Sequence, residues 1–150
     1  MKVSERAIKL IKHHEGVRNR PYRCPANLYT VGVGHLIGDG KHLPDSWNRT
    51  FTQEEIDGLL KRDLNRFELG VSKMLPNVRL RQCEFDCLVS FAFNLGLGTF
   101  QRSTLRQALL RGDKEAAIES LLKYCRAGGR VLKGLQLRRE AEAKMFVANY

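Results

Sequence analysis

Apolar positions recur along this chain with two different periods. Near the start, Ile8, Ile11 and Glu15 fall at i, i+3 and i+7, one face of a helix that Ser4 can cap and Gly16 can end. Over 21–40 the period becomes that of strands, with aromatic and β-branched residues around a turn at Pro25-Ala26-Asn27. Gly38, Gly40 and Pro44 then mark loop. Thr52 followed by Glu55 is a capping box, with Thr50 a weaker alternative start. The helix it opens carries Ile56, Leu59, Leu60, Leu64, Phe67 and Val71 as an apolar stripe, runs to about residue 74 and is closed by Pro76. Residues 82–95 are apolar nearly all round, which predicts the central helix of a helical lobe, broken by Gly96 and Gly98. Three more helices are predicted over 103–110, 113–124 with Asp113 as cap, and 134–147. The predicted class is α+β and mostly helical. A small N-terminal lobe with a β-hairpin sheet (about 1–60) is joined by a helix (52–74) to an all-helical lobe (75–150).

A chain of 150 residues buries roughly 68–70% of its unfolded surface, so it needs no metal or disulfide to fold. Its 43% hydrophobic and 28% charged residues exclude a disordered chain. No window approaches the roughly 20 apolar residues that span a bilayer, so stable membrane insertion is not expected. Glu5, Lys9 and Lys12 interrupt the N-terminus, which lacks the apolar run of a secretory signal; a cytoplasmic start is expected. Cys83 and Cys87 are four apart and no C-x-x-C occurs, so free thiols are expected rather than a disulfide scaffold or zinc site. The net charge is +10, divided +5, −1 and +6 over successive thirds. That balance points to a polyanionic partner: nucleic acid, an anionic membrane or an anionic wall polymer.

Glu15 stands out chemically, because its spacing sets a carboxylate on an apolar face in the last turn of a helix. Burial and the negative end of the helix dipole both favour the protonated form, as a general acid requires. The other reading is a solvated glutamate at a fraying helix end. If Pro25-Ala26-Asn27 is a three-residue loop with Asn27 left-handed, Cys24 pairs with Leu28, and Tyr22, Cys24, Leu28, Thr30, Gly32 and Gly34 share one face. That face is either a ligand floor with bare glycines for close approach, or a plain twisted hairpin. His13, His14, His35 and His42 lack ligand spacing, so no metal is expected.

Glu15, eight residues, Cys24, five residues, Thr30 and then Val31-Gly32-Val33-Gly34-His35 together resemble the signature of the phage lysozymes (endolysins) of glycoside hydrolase family 24. The resemblance continues through Phe85-Asp86-Cys87-Leu88 to Gly96, the Ala127-Gly128-Gly129 turn and Leu137-Arg138-Arg139-Glu140-Ala141-Glu142, nearly the whole chain. It implies a lysozyme-like fold and a muramidase that hydrolyses the β-1,4 bond between N-acetylmuramic acid and N-acetylglucosamine of peptidoglycan, without a cofactor. Glu15 would be the general acid. Cys24 would fill a second position that is Asp in some members and Cys in others, as base or nucleophile, with Arg20 or Arg23 lowering its pKa. Thr30 would orient the attacking water. The resemblance suggests inversion of configuration, and Cys24 leaves that outcome open. Tyr29, which replaces a common Trp, together with His35, Asn94 and Gln101 are candidate substrate-binding residues; Asn94 and Gln101 can equally be turn residues. His35 would order the loop beneath the cleft. Arg138 and Arg139 are either a solvated helix face or a wall-binding surface. The implied protein is a monomer that lyses the host by reaching the periplasm and cell wall through a separately supplied pore-forming protein. Two alternatives remain: a thiol peptidase built on Cys24 and His35, and a basic nucleic-acid module over 103–124, whose second helix carries Glu115 and Glu119.

Overall fold

The structure is a computed structural model describing residues 1–150, and the chain divides into two compact units, Lys9–Arg66 and Met1–Ile8 with Phe67–Tyr150. The first eight residues, expected with the N-terminal lobe, thus belong with the helical unit. Helices α1 (Glu5–Glu15) and α2 (Gln53–Met74) each contribute to both units.

In the sheet unit, strands β1 (Arg18–Arg23), β2 (Tyr29–Gly32) and β3 (His35–Leu36) form an antiparallel sheet in that order. Tyr22 pairs with Thr30 and Arg23 with Tyr29, but Arg18 pairs with Gly32, so β1 carries an irregularity between Arg18 and Tyr22. Pro21, with no N–H to give the ladder, lies inside that stretch. A 3-10 turn, Asp45–Trp47, leads to α2. The predicted capping box is present: the Glu55 amide donates to Thr52 Oγ1 at 3.1 Å and the Thr52 amide to Glu55 Oε1 at 3.0 Å.

In the helical unit, α3 (Gln82–Leu95) is buried without interruption from Cys83 to Ala92. Around it come α4 (Leu97–Arg102), α5 (Thr104–Leu110) capped by Ser103, α6 (Lys114–Leu122) capped by Asp113, and α7 (Lys133–Phe146). The Ala127-Gly128-Gly129 turn joins the short strands β4 (Arg126–Ala127) and β5 (Arg130–Val131), with both glycines at positive φ. Helix α4 was not anticipated, because Gly98 reads as a breaker in sequence. No helix is long and apolar enough to cross a membrane.

Two sequence readings change here. Ser4 occupies the cap position of α1, yet its hydroxyl and amide both donate to Asp86, which also accepts from Tyr150 Oη at 2.9 Å. Arg138 and Arg139 are neither a solvated face nor a wall-binding surface. They are 3% and 0% exposed, with Arg138 Nε 3.3 Å and Arg139 Nε 2.7 Å from the carboxylate of buried Glu142. Ser90 Oγ donates to the same carboxylate at 2.5 Å.

Candidate active site

The hairpin forms as its sequence dictates. Asn27 takes φ +62°, its amide donates to the Cys24 carbonyl at 2.7 Å, and the Cys24 amide donates to the Leu28 carbonyl at 2.9 Å. Asparagine tolerates the left-handed region better than most residues, so it can stand where glycine is usual. The strand period then sets Tyr22, Cys24 and Thr30 on one face.

Cys24 is half-buried, and its thiol pKa is lowered from the ordinary value. The largest cause is the Leu28 backbone amide; the Ala26 amide and the Thr30 hydroxyl act in the same direction, and partial desolvation opposes them. The arginines expected to do this are engaged elsewhere. Arg20 donates to Thr50 Oγ1 at 3.1 Å, and Arg23 to Asn27 Oδ1 at 3.2 Å and Tyr29 Oη at 2.8 Å. Thr30 is 4% exposed and its hydroxyl donates to the Leu28 carbonyl at 2.9 Å. A hydroxyl has one proton to give. When Cys24 ionises, that proton can turn from the Leu28 carbonyl to the sulfur, so Thr30 acts on the thiolate from inside the strand.

Glu15 ends α1, and Gly16 follows at φ +81°. It is exposed, so the burial inferred from periodicity does not hold. The reason is geometric: the buried stripe of α1 runs through Ala7, Ile8 and Ile11 to half-buried His14, and Glu15 falls beside it. Of the two glycines read as a ligand floor, Gly34 has open space where a Cβ would stand and Gly32 does not. A Cβ on Gly32, at φ +69°, would stand 3.1 Å from Cγ2 of Ile56, so the chain's own core fills that space.

Within the sheet unit, His35 and Tyr29 lie on the face opposite Cys24 and Thr30. Val31 pairs with His35 and Thr30 with Leu36, which puts His35 on the face opposite Thr30. Its Nδ1 is 2.9 Å and 3.1 Å from the two oxygens of Asp63, and its ring stacks on Trp47 at 5.9 Å. His35 therefore ties β3 to α2, where the expectation was that it orders the loop beneath the cleft, and it lies on the face opposite Cys24. Tyr29 also lies opposite Thr30, its ring 4.4 Å beneath the Arg23 guanidinium. Asn94 and Gln101 belong to the helical unit. Asn94 Oδ1 accepts from Arg139 Nη2 at 2.8 Å, and exposed Gln101 lies in α4 with its backbone carbonyl accepting from Arg106 Nη1 at 3.2 Å. No group of three or more His, Cys, Asp or Glu could hold a metal ion.

Strand β1 itself lines a groove that includes none of the expected site residues. A groove of about 660 Å³ is lined by Arg18, Asn19, Arg20, Tyr22 and Gln53, with the Arg18 guanidinium 4.6 Å over the Tyr22 ring. Alternation already placed Tyr22 on the Cys24 face, and the arginines of Arg18–Arg23 were the available signal for a basic groove.

A carboxylate ending the first helix, a hairpin with a thiol and hydroxyl on one face, and a mostly helical unit, with one short strand pair, built around one buried helix make up the lysozyme-like fold. The solved structure of a P22 lysozyme mutant matches with a TM-score of 0.87 at 32% identity, covering 99% of each chain. The muramidase domain of SpmX from Asticaccaulis excentricus matches with a TM-score of 0.85 at 28% identity, again covering 99% of each chain. A family model described as phage lysozyme matches residues 12–142, and the chain belongs to that family. Among its relatives, an endolysin of Bacillus phage B103 is 38% identical over 149 residues, 98% of this chain. The chain spans about half, 54%, of that relative's length.

Proposed function

We propose that this chain is an endolysin muramidase that hydrolyses the β-1,4 bond between N-acetylmuramic acid and N-acetylglucosamine of peptidoglycan. The observation that carries the reading is the hairpin that sets Cys24 and Thr30 on one face, at family spacing from Glu15, in a chain that the phage lysozyme model matches over residues 12–142. In this reading Glu15 gives its proton to the leaving glycosidic oxygen. The Cys24 thiolate takes a proton from water as that water's oxygen attacks the anomeric carbon, with inversion. Direct attack by sulfur, with retention, is the competing route. Thr30 holds the sulfur and through it the water. Glu15 is exposed before substrate binds, and the glycan that covers it would supply the water-poor surroundings a general acid needs. The +10 charge favours an anionic wall over neutral substrates. The protein would act as a monomer in the periplasm after a separate pore-forming protein opens the membrane.

The thiol-peptidase reading loses its base, since His35 is on the other face of the sheet and bound to Asp63. The deciding experiment is turbidity loss of purified sacculi with analysis of new chain ends. The wild type should release reducing sugar ends, and Glu15→Gln should be slower by about 10²–10⁴-fold at an unchanged unfolding midpoint. New amines in place of reducing ends would overturn the muramidase reading; near wild-type lysis by the variant would overturn the acid role.

A further inference from the structure

A second groove in the sheet unit shares no residue with Glu15, Cys24 or Thr30. It measures about 290 Å³ and is formed by Trp47, Phe51, Gly58, Leu59, the Arg49–Glu55 pair and Arg62. Gly58 is the informative residue. It lies in the middle of α2, exposed, and no atom is within 4 Å of the Cβ it lacks. Glycine within a helix destabilises it relative to alanine, and nothing in the chain's own packing requires the bare position. What it leaves is a strip of open backbone beside the only tryptophan in the chain. Trp47 is half-buried, braced by His35 at 5.9 Å and Phe51 at 5.4 Å, so its ring is held still.

The two arginines of the groove differ. Arg49 is engaged by Glu55, with contacts of 3.0 Å and 2.6 Å, and by the Phe51 ring 3.9 Å from its guanidinium carbon. Arg62, exposed, pairs with no acid. A fixed aromatic surface, bare backbone and one uncommitted guanidinium suit a flat ring with an apolar C–H face and a carboxylate nearby.

We propose that this groove is an auxiliary glycan-holding site: it seats one amino-sugar ring of the wall strand against Trp47 and over Gly58, with a stem-peptide carboxylate on Arg62. The inference rests on the muramidase reading for its choice of polymer, and its consequence is that the enzyme holds intact wall more tightly than it holds a short glycan.

The test compares wild type, Gly58→Gln and Arg62→Glu in two assays: co-pelleting with purified sacculi at physiological salt, and hydrolysis of a soluble tetrasaccharide of the same repeat. Gly58→Gln fills the groove while improving the helix, so its unfolding midpoint should rise or hold. Both variants should lose at least fivefold in pelleting and stay within twofold of wild type on the tetrasaccharide. Wild-type pelleting by both variants overturns the site. Equal losses in the two assays also overturn it, since the groove would then serve the reacting centre. So would unchanged pelleting with loss of self-association in light scattering, which would assign the groove to a second copy of the chain. If wild type frees no reducing ends from sacculi, the muramidase reading fails by itself, and the pelleting result still decides whether the groove holds wall.

Discussion

The helical unit buries six charged residues and the sheet unit none. Glu68, Glu84, Asp86, Arg138, Arg139 and Glu142 are all buried among Met1–Ile8 and Phe67–Tyr150, whereas Thr30 is the one buried polar residue of Lys9–Arg66. Burying a charge is expensive unless partners surround it, and a carboxylate so surrounded has little capacity left for a ligand. Glu142 is such a group: Ser90, Arg138 and Arg139 converge on it, and burial pushes its carboxyl pKa up while lowering that of Arg139. Cys24 is the contrary case, half-buried with amides behind its sulfur. Buried charge in this molecule marks architecture, and the proposed chemistry falls on partly exposed groups.

The comparison breaks most visibly at Arg139. Arg139→Met removes one partner of a buried pair and should lower stability by about 3–5 kcal/mol, read from urea unfolding. Adding Glu142→Leu should recover much of that loss, because the stranded carboxylate is then gone. If the double variant is as unstable as the single, the network contributes by packing and not by charge. Glu15→Gln, exposed and in the other unit, should leave the midpoint where it was.

This contrast also explains what could be read from sequence. The Thr52–Glu55 box, the Asn27 turn and the shared face of Tyr22, Cys24 and Thr30 follow from rules spanning a few residues, and each formed as expected. Of the two readings of Glu15 the exposed one holds, whereas both readings of the Arg138–Arg139 pair fail because the pair is buried. Helical spacing defines a face, but only tertiary packing decides which face is covered and where the covered stripe ends. Ser4 shows the same limit: the partner that displaced its local cap, Asp86, is 82 positions away. For the thiol, sequence suggested neighbouring arginines, while the groups that act are backbone amides, which no residue type announces.

Cys24 sharpens the other side of the comparison. If the thiolate is the base, the acid limb of kcat/KM follows the sulfur, whose pKa is below the roughly 8.5 of a free thiol. Cys24→Ser should lose about 10²-fold or more. Cys24→Asp should keep part of the activity and carry the acid limb toward the carboxylate range near about 4. An acid limb unmoved in Cys24→Asp would remove sulfur from the proton path. The sign for stability is fixed by the same shift. A folded pKa below the unfolded one means Cys24 contributes above about pH 8.5, and that contribution is lost as pH falls through the lower folded value.

The smallest expected effect is at the start of α2, on the exposed side of the sheet unit. Thr52→Ala removes the acceptor for the Glu55 amide and should lower stability by about 1 kcal/mol, with sacculus lysis unchanged. Glu55 itself is held at a pKa of about 2, chiefly by Arg49 and then by the Thr52 amide. Because the folded value is below the unfolded one near about 4.3, the Glu55 contribution is complete above that pH and is lost between there and about 2. Thr52→Ala keeps the Arg49 pair and the Thr52 amide, so its stability profile should run parallel to wild type through that window. Arg49→Ala should flatten the fall, since less of the shift remains to be lost. A parallel profile for Arg49→Ala would mean that the pair, 39–46% exposed, is too well solvated to contribute, and that the cap alone secures this helix end.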